Sequence, residues 1–153
     1  MLGRLGRLFK AVSPRLAKPD DAWALAELRV EEVSLYKAMD PRDRDHAVKV
    51  AKRLLERYPD APGCVVRAAL LHDTGKALRP YNPLERVLTG LWCPNVAIEP
   101  LRKGFYGAWQ IRKHHPVYGA RRILDLEVAA LVREHHAPGS EWAKRLHQAD
   151  GEF

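Results

Sequence analysis

The stretch Cys64-Val65-Val66-Arg67-Ala68-Ala69-Leu70-Leu71-His72-Asp73-Thr74-Gly75-Lys76 decides how the rest of the chain is read. It starts as an apolar helix, expected from Cys64 to about His72. It then runs into a histidine, a carboxylate and a lysine. His72 follows Val65, Ala68 and Ala69 by seven, four and three positions, so its imidazole shares their core-facing side. A polar ring in a core is costly unless it finds a partner. A carboxylate placed directly after it, at Asp73, is costlier still without a cation nearby.

The same pattern recurs in both directions along the chain. Asp40-Pro41 combines an N-cap residue with proline at the first helical position. The helix it opens should reach about Tyr58, with His46, Val50, Leu54 and Tyr58 along one face. A helix expected from about Leu126 to His136 places His135 behind Val128, Leu131 and Val132. Ser140 can cap a last helix to about Asp150. Between these lie a loop over Thr74–Pro83, a helix over Leu84–Trp92 and irregular chain over Cys93–Gly104. A helix from about Phe105 to Lys113 follows, and Pro116 is expected to open a separate short helix to Leu124. Upstream, Lys18-Pro19-Asp20-Asp21 should break the pattern of the tail and open a helix of about 17 residues through Met39. No strand alternation exceeds three or four residues. The expected architecture is all-α, a bundle of about six to eight helices.

Three histidines aimed inward from three helices need a common partner, and a metal ion satisfies all of them at once. His46, His72, Asp73 and Asp150 make a two-histidine, two-carboxylate set. Mixed nitrogen and oxygen donors suit Mn, Fe, Co, Ni or Zn better than a thiol-loving ion. His115 and His135 extend the set toward a second ion, with one carboxylate shared.

The order His46, then Leu70-Leu71-His72-Asp73-Thr74-Gly75-Lys76, then His115-Pro116-x-x-Gly119-Ala120, then Val132-x-x-His135-His136, then Ala149-Asp150 resembles the HD-domain metal-dependent phosphohydrolases. The resemblance covers about residues 42–150. It implies an HD-like helical domain over residues 19–153 and one or two divalent ions, with Mg added to the metals above. His46, His72, Asp73 and Asp150 match the core ligands of the family, and His115 and His135 the extra pair of two-metal members. Asp73 and Lys76 become the catalytic candidates, and His136 and Arg44 candidates for support or substrate contact. Arg79, Arg112 and Lys113 lie near the motifs as further phosphate-binding candidates. The Gly-Tyr-Pro of the HD-GYP branch is missing, because Ala137-Pro138-Gly139-Ser140 follows His136. The implied activity is hydrolysis of a nucleotide or other small phosphate ester by a metal-activated water. An HD-fold di-iron oxygenase, and a non-catalytic module that senses a nucleotide or binds a partner, are the competing readings.

Length and charge agree with this. A chain of 153 residues buries roughly two-thirds of its unfolded surface and needs no disulfide to fold. Cys64 and Cys93 form no C-x-x-C, which excludes zinc ribbons and thioredoxin-type sites and fits a reducing cytoplasm. No apolar run approaches the roughly 18 residues of a membrane span. The net charge is +7, of which residues 1–18 supply +5 through Arg4, Arg7, Lys10, Arg15 and Lys18. Leucines interleave with these cations, so residues 1–18 are expected to form a basic amphipathic extension able to meet an anionic membrane or nucleic acid. The nearly neutral remainder suits a small anionic substrate.

Overall fold

The apolar helix Gly63–Leu71 is buried from Val65 to Leu71, and the rest of the fold is arranged to cover it. The structure is a computed structural model that describes residues 16–153. The extension expected over residues 1–18 therefore lies outside the described residues, apart from Leu16, Ala17 and Lys18. Eight α-helices follow: α1 Asp21–Glu27, α2 Val30–Lys37, α3 Pro41–Arg57, α4 Gly63–Leu71, α5 Pro83–Leu91, α6 Gly104–Ala120, α7 Leu126–Glu134 and α8 Glu141–Asp150. A 3-10 helix, Thr74–Leu78, joins α4 to the loop before α5. Among the described residues there is no strand.

Helix α4 packs against α3 on one side and α7 on the other, and α8 closes the bundle against α3. The core comes from the apolar faces of these helices, including Val50 and Leu54 of α3, Leu70 and Leu71 of α4, Val128 and Val132 of α7, and Leu146 of α8. The caps follow the sequence. Asp40 accepts from the Arg42 N–H ahead of Pro41, Asp125 accepts from Glu127 and Val128, and Ser140 accepts from Ala143.

Three elements differ from expectation, the first being the loop expected over Thr74–Pro83, which begins with the 3-10 helix Thr74–Leu78. The single helix through Met39 is two helices, broken at Leu28 and Arg29, which are both extended. The break lets the Glu32 carboxylate accept from the Arg29 backbone N–H at 2.9 Å while receiving the Arg67 guanidinium at 2.8 Å. Arg67 also reaches Asp125 at 3.0 Å, so a buried arginine on the central helix ties α2 to the start of α7. Pro116 opens no new helix; it sits inside α6. A proline there removes the N–H that would bond the Arg112 carbonyl. The His115 imidazole takes that carbonyl instead, its Nδ1 lying 3.2 Å from Arg112 O and 3.1 Å from Ile111 O. The helix therefore continues without leaving that acceptor bare.

The 3-10 helix and α6 meet backbone to backbone. A Cβ added at Gly75 would stand 2.0 Å from the His115 carbonyl oxygen and 2.8 Å from the Gly119 nitrogen. Glycine here provides room, and the contact sets Asp73 beside His115. Gly75→Ala should therefore destabilise the fold by about 3 kcal/mol or more, because the obstructing atoms are backbone. Urea denaturation measures the loss, and metal content should fall with it.

Candidate metal centre

Six side chains from six elements meet, four of them at or next to helix ends. His72 is the C-cap of α4 and His135 the C-cap of α7, while Asp150 is the last residue of α8. Asp73 precedes the 3-10 helix, and His46 and His115 lie within α3 and α6. His72, Asp73, His115 and His135 are buried. His46 is only partly so, which corrects the expectation that it points into the core; it stands on the wall of a cleft.

Three of these histidines orient themselves in the same way. The Nδ1 of His72 lies 2.8 Å from Ala69 O, that of His135 lies 2.6 Å from Val132 O, and that of His115 bonds its own preceding turn. A carbonyl only accepts, so each Nδ1 must carry a proton, and each Nε2 offers its lone pair whenever the ring is neutral. The Nε2 atoms of His72 and His135 are buried and have no hydrogen-bond partner. Leaving two such atoms bare costs about 1–3 kcal/mol each.

The carboxylates face these atoms. Asp73 Oδ1 is 3.3 Å from His115 Nε2, and Asp73 Oδ2 is 3.5 Å from His72 Nε2. Asp150 Oδ1 is 2.8 Å from His46 Nε2 and 3.6 Å from His72 Nε2. Three groups have ligand atoms within 4.8 Å of one another: His46, His72 and Asp150; His72, Asp73 and His135; and His115, His135 and His136. His136 is thus drawn into the cluster, with its Nε2 3.2 Å from that of His115. Orphaned, fully buried imidazole nitrogens facing two carboxylates fit a divalent cation, and this donor set suits a borderline metal.

The electrostatics have the same origin. Burial disfavours the charged form of His72, but the Asp73 and Asp150 carboxylates outweigh it and push this imidazole up to about 9. Burial and the neighbouring imidazoles push His135 down to about 2. Burial and His115 push His136 down to about 4. Burial opposes ionisation of Asp150 as well, but bonds to His46 and His72 hold its carboxyl far below the usual range. Asp73 is held low in the same sense by Lys76 and His72.

A cleft of about 890 Å³ opens over this floor, lined by His46, Asp73, His115, His136 and Asp150. Its lining also includes the cations Lys76, Arg86 and Arg112 and the apolar Val87, Leu91 and Phe153. Lys76 Nζ lies 2.7 Å from Asp73 Oδ2. Arg44 does not reach the cleft. Two positions along α3 from His46 is a rotation of about 200°, so Arg44 faces Asp21 and Tyr36 instead. Arg79 is spent on Glu85, and Lys113 on Asn95. Arg86 was not evident from the sequence: it arrives from α5, held by Asp43 at 2.9 and 3.1 Å. His114 bonds Val96 O, and His147 holds the carbonyl that ends α7, so neither belongs to the cluster.

The family model for the HD domain matches residues 44–150. The chain belongs to the HD-domain family. The matched segment runs from the first turn of α3 to the last residue of α8 and contains every residue of the cluster. HD domains form a superfamily of metal-dependent phosphohydrolases that hold divalent ions, in agreement with the histidine and aspartate groups here. No curated protein and no solved structure matches the chain. Among the described residues, no helix is long and apolar enough to cross a membrane.

A cation can reach His72 Nε2 only after the proton leaves. Below about pH 9 the protonated ring competes, so apparent metal affinity should rise about ten-fold per pH unit from neutrality and level off near 9. Competition with a chromophoric chelator across this range reads the slope; a flat profile would mean that His72 is already neutral.

Proposed function

We propose that this HD domain is a metal-dependent phosphohydrolase acting on a nucleotide or another small phosphate ester. The observation that carries the reading is the pair of buried, unpartnered Nε2 atoms on His72 and His135, facing Asp73 and Asp150 beneath a cleft with cations in its lining. His46, His72, Asp73 and Asp150 would hold one ion; His115, His135 and Asp73, with His136 beside them, would hold a second. Divalent ions bound there would lower the pKa of a water and draw charge from a phosphoryl oxygen.

The side chains supply the rest. Asp73 stands between the two groups, with one oxygen toward His115 and the other toward His72 and Lys76. Lys76 is held by that carboxylate at the cleft wall, where its ammonium would meet a non-bridging phosphate oxygen. Arg86 is fixed by its fork on Asp43 and adds a rigid cation on the same side. No carboxylate pairs with Arg112 among the described residues, so its guanidinium would bind a phosphate at the mouth without first breaking an ion pair. Val87, Leu91 and Phe153 give the leaving group an apolar wall. His136, pushed down to about 4, is neutral at neutral pH and is suited to a ligand or hydrogen-bond role.

Elemental analysis of protein purified without added metal or chelator should find about two divalent ions per chain in wild type and about one in His115→Ala. The metal-loaded wild type should release phosphate from p-nitrophenyl phosphate or from members of a nucleotide panel. Lys76→Ala and Arg112→Ala should each lower kcat/KM by roughly 10- to 100-fold with metal content unchanged, as expected for losing one charge-assisted bond. Failure to bind metal after reconstitution would leave a binding module. Oxygen consumption by an iron-loaded form that releases no phosphate would move the chain to the oxygenase class.

A further inference from the structure

Helix α5 turns an apolar stripe outward. Leu84, Leu88 and Leu91 recur at i, i+4 and i+7, so they lie on one side of the helix. They are 65%, 40% and 73% exposed, and Trp92, directly after them, is 63% exposed. The opposite side of α5 is buried through Glu85 and Thr89, so the stripe is not a frayed end. Trp92 is held in place. Its ring packs edge-on against Trp109 at 5.1 Å, Trp109 packs on Phe105 at 4.9 Å, and the Trp109 indole N–H donates to the Trp92 carbonyl.

Along the chain from Pro83 to Lys113 the unpaired charge has one sign, and Arg112 and Lys113 lie close enough to Cys93, next to Trp92, to act on its thiol. Between Pro83 and Lys113 the acids are Glu85 and Glu99, which are occupied by Arg79 and Arg121. Arg102, Lys103, Arg112 and Lys113 are exposed, and no carboxylate pairs with them among the described residues. Lys113 meets only the Asn95 amide. Arg112 and Leu91 also line the cleft, so ridge and cleft adjoin.

We propose that the outer face of α5, with the Trp92–Trp109 corner, docks on an anionic lipid surface. Leucines and a rigid indole seat in the boundary between acyl chains and headgroups, and lysine and arginine beside them meet acidic headgroups. Charge and side-chain type select this occupant. A second copy docked face to face would set Arg112 and Lys113 against their own images. A nucleic acid would meet the cations and the Trp92 indole, but the three leucines of the stripe offer no ring to stack on a base. Seated this way, the protein holds the mouth of its cleft beside the headgroup layer.

Flotation of the full chain with phosphatidylcholine vesicles, with and without phosphatidylglycerol, tests the proposal. Two double variants leave the cleft untouched: Leu84→Ser with Trp92→Ser, and Lys103→Gln with Lys113→Gln. Circular dichroism and metal content confirm that each is folded. Wild type should float with phosphatidylglycerol vesicles, more weakly at high salt. Each double variant should lower the partition coefficient by about ten-fold or more, since one cation near the surface contributes about five-fold. Equal binding of wild type and both variants would place membrane attachment elsewhere in the chain and overturn the proposal. So would failure to bind the anionic vesicles, a preference for duplex DNA, or a dimer that the same substitutions dissolve.

Discussion

Each imidazole has two nitrogens, and in three of the buried histidines one of them is already committed. His72, His115 and His135 each give Nδ1–H to a carbonyl of the helix that carries them. That bond fixes the ring, the tautomer and the direction of the remaining lone pair. The rest of the arrangement follows from it. Three lone pairs converging beside the buried Asp73 and the partly buried Asp150 suit a positive charge placed among them. Helix packing is what brings them together. Gly75 and Gly119 let the 3-10 helix and α6 approach through their backbones, so the Asp73 and His115 side chains are set by a backbone-to-backbone contact.

The supporting polar groups follow the same economy. Gln110 is fully buried, yet its carbonyl accepts from the Arg102 N–H and its amide donates to Ala97 O and Pro100 O, so one side chain organises the irregular loop before α6. Arg67 does the same for the other end of the molecule, through Glu32 and Asp125. Both leave the cleft free to carry an excess of charge. Its lining holds both carboxylates and cations, and the two are bridged by the Lys76–Asp73 pair.

Much of this was legible because local rules and tertiary structure agree. Asp40-Pro41, Asp125 and Ser140 mark helix starts that the fold keeps. The apolar residues preceding His72 and His135 by three, four and seven positions fixed which way those rings face. The failures have physical causes. The break at Leu28 and Arg29 exists to deliver Glu32 to Arg67, a partner 35 positions away that no window on α1 or α2 contains. Pro116 is a helix breaker by local rules, but here a histidine side chain takes up the carbonyl it strands. Arg44 was placed near His46 by sequence distance, whereas angle around the helix is what counts. Arg86 reaches the cleft because α5 packs against α6, and nothing along α5 itself announces that.

The ends of α4, α7 and α8 all point at one place, since His72 and His135 cap two of them and Asp150 finishes the third. Each helix carries about half a negative charge at its C-terminus. Three such termini, added to two carboxylates, give the floor a backbone-derived field that attracts cations and repels anions. A phosphate entering a metal-free cleft meets that field directly, whatever the cations of the lining offer. On the function proposed above, a metal bound at these helix ends would screen that field and so favour the later arrival of a phosphate.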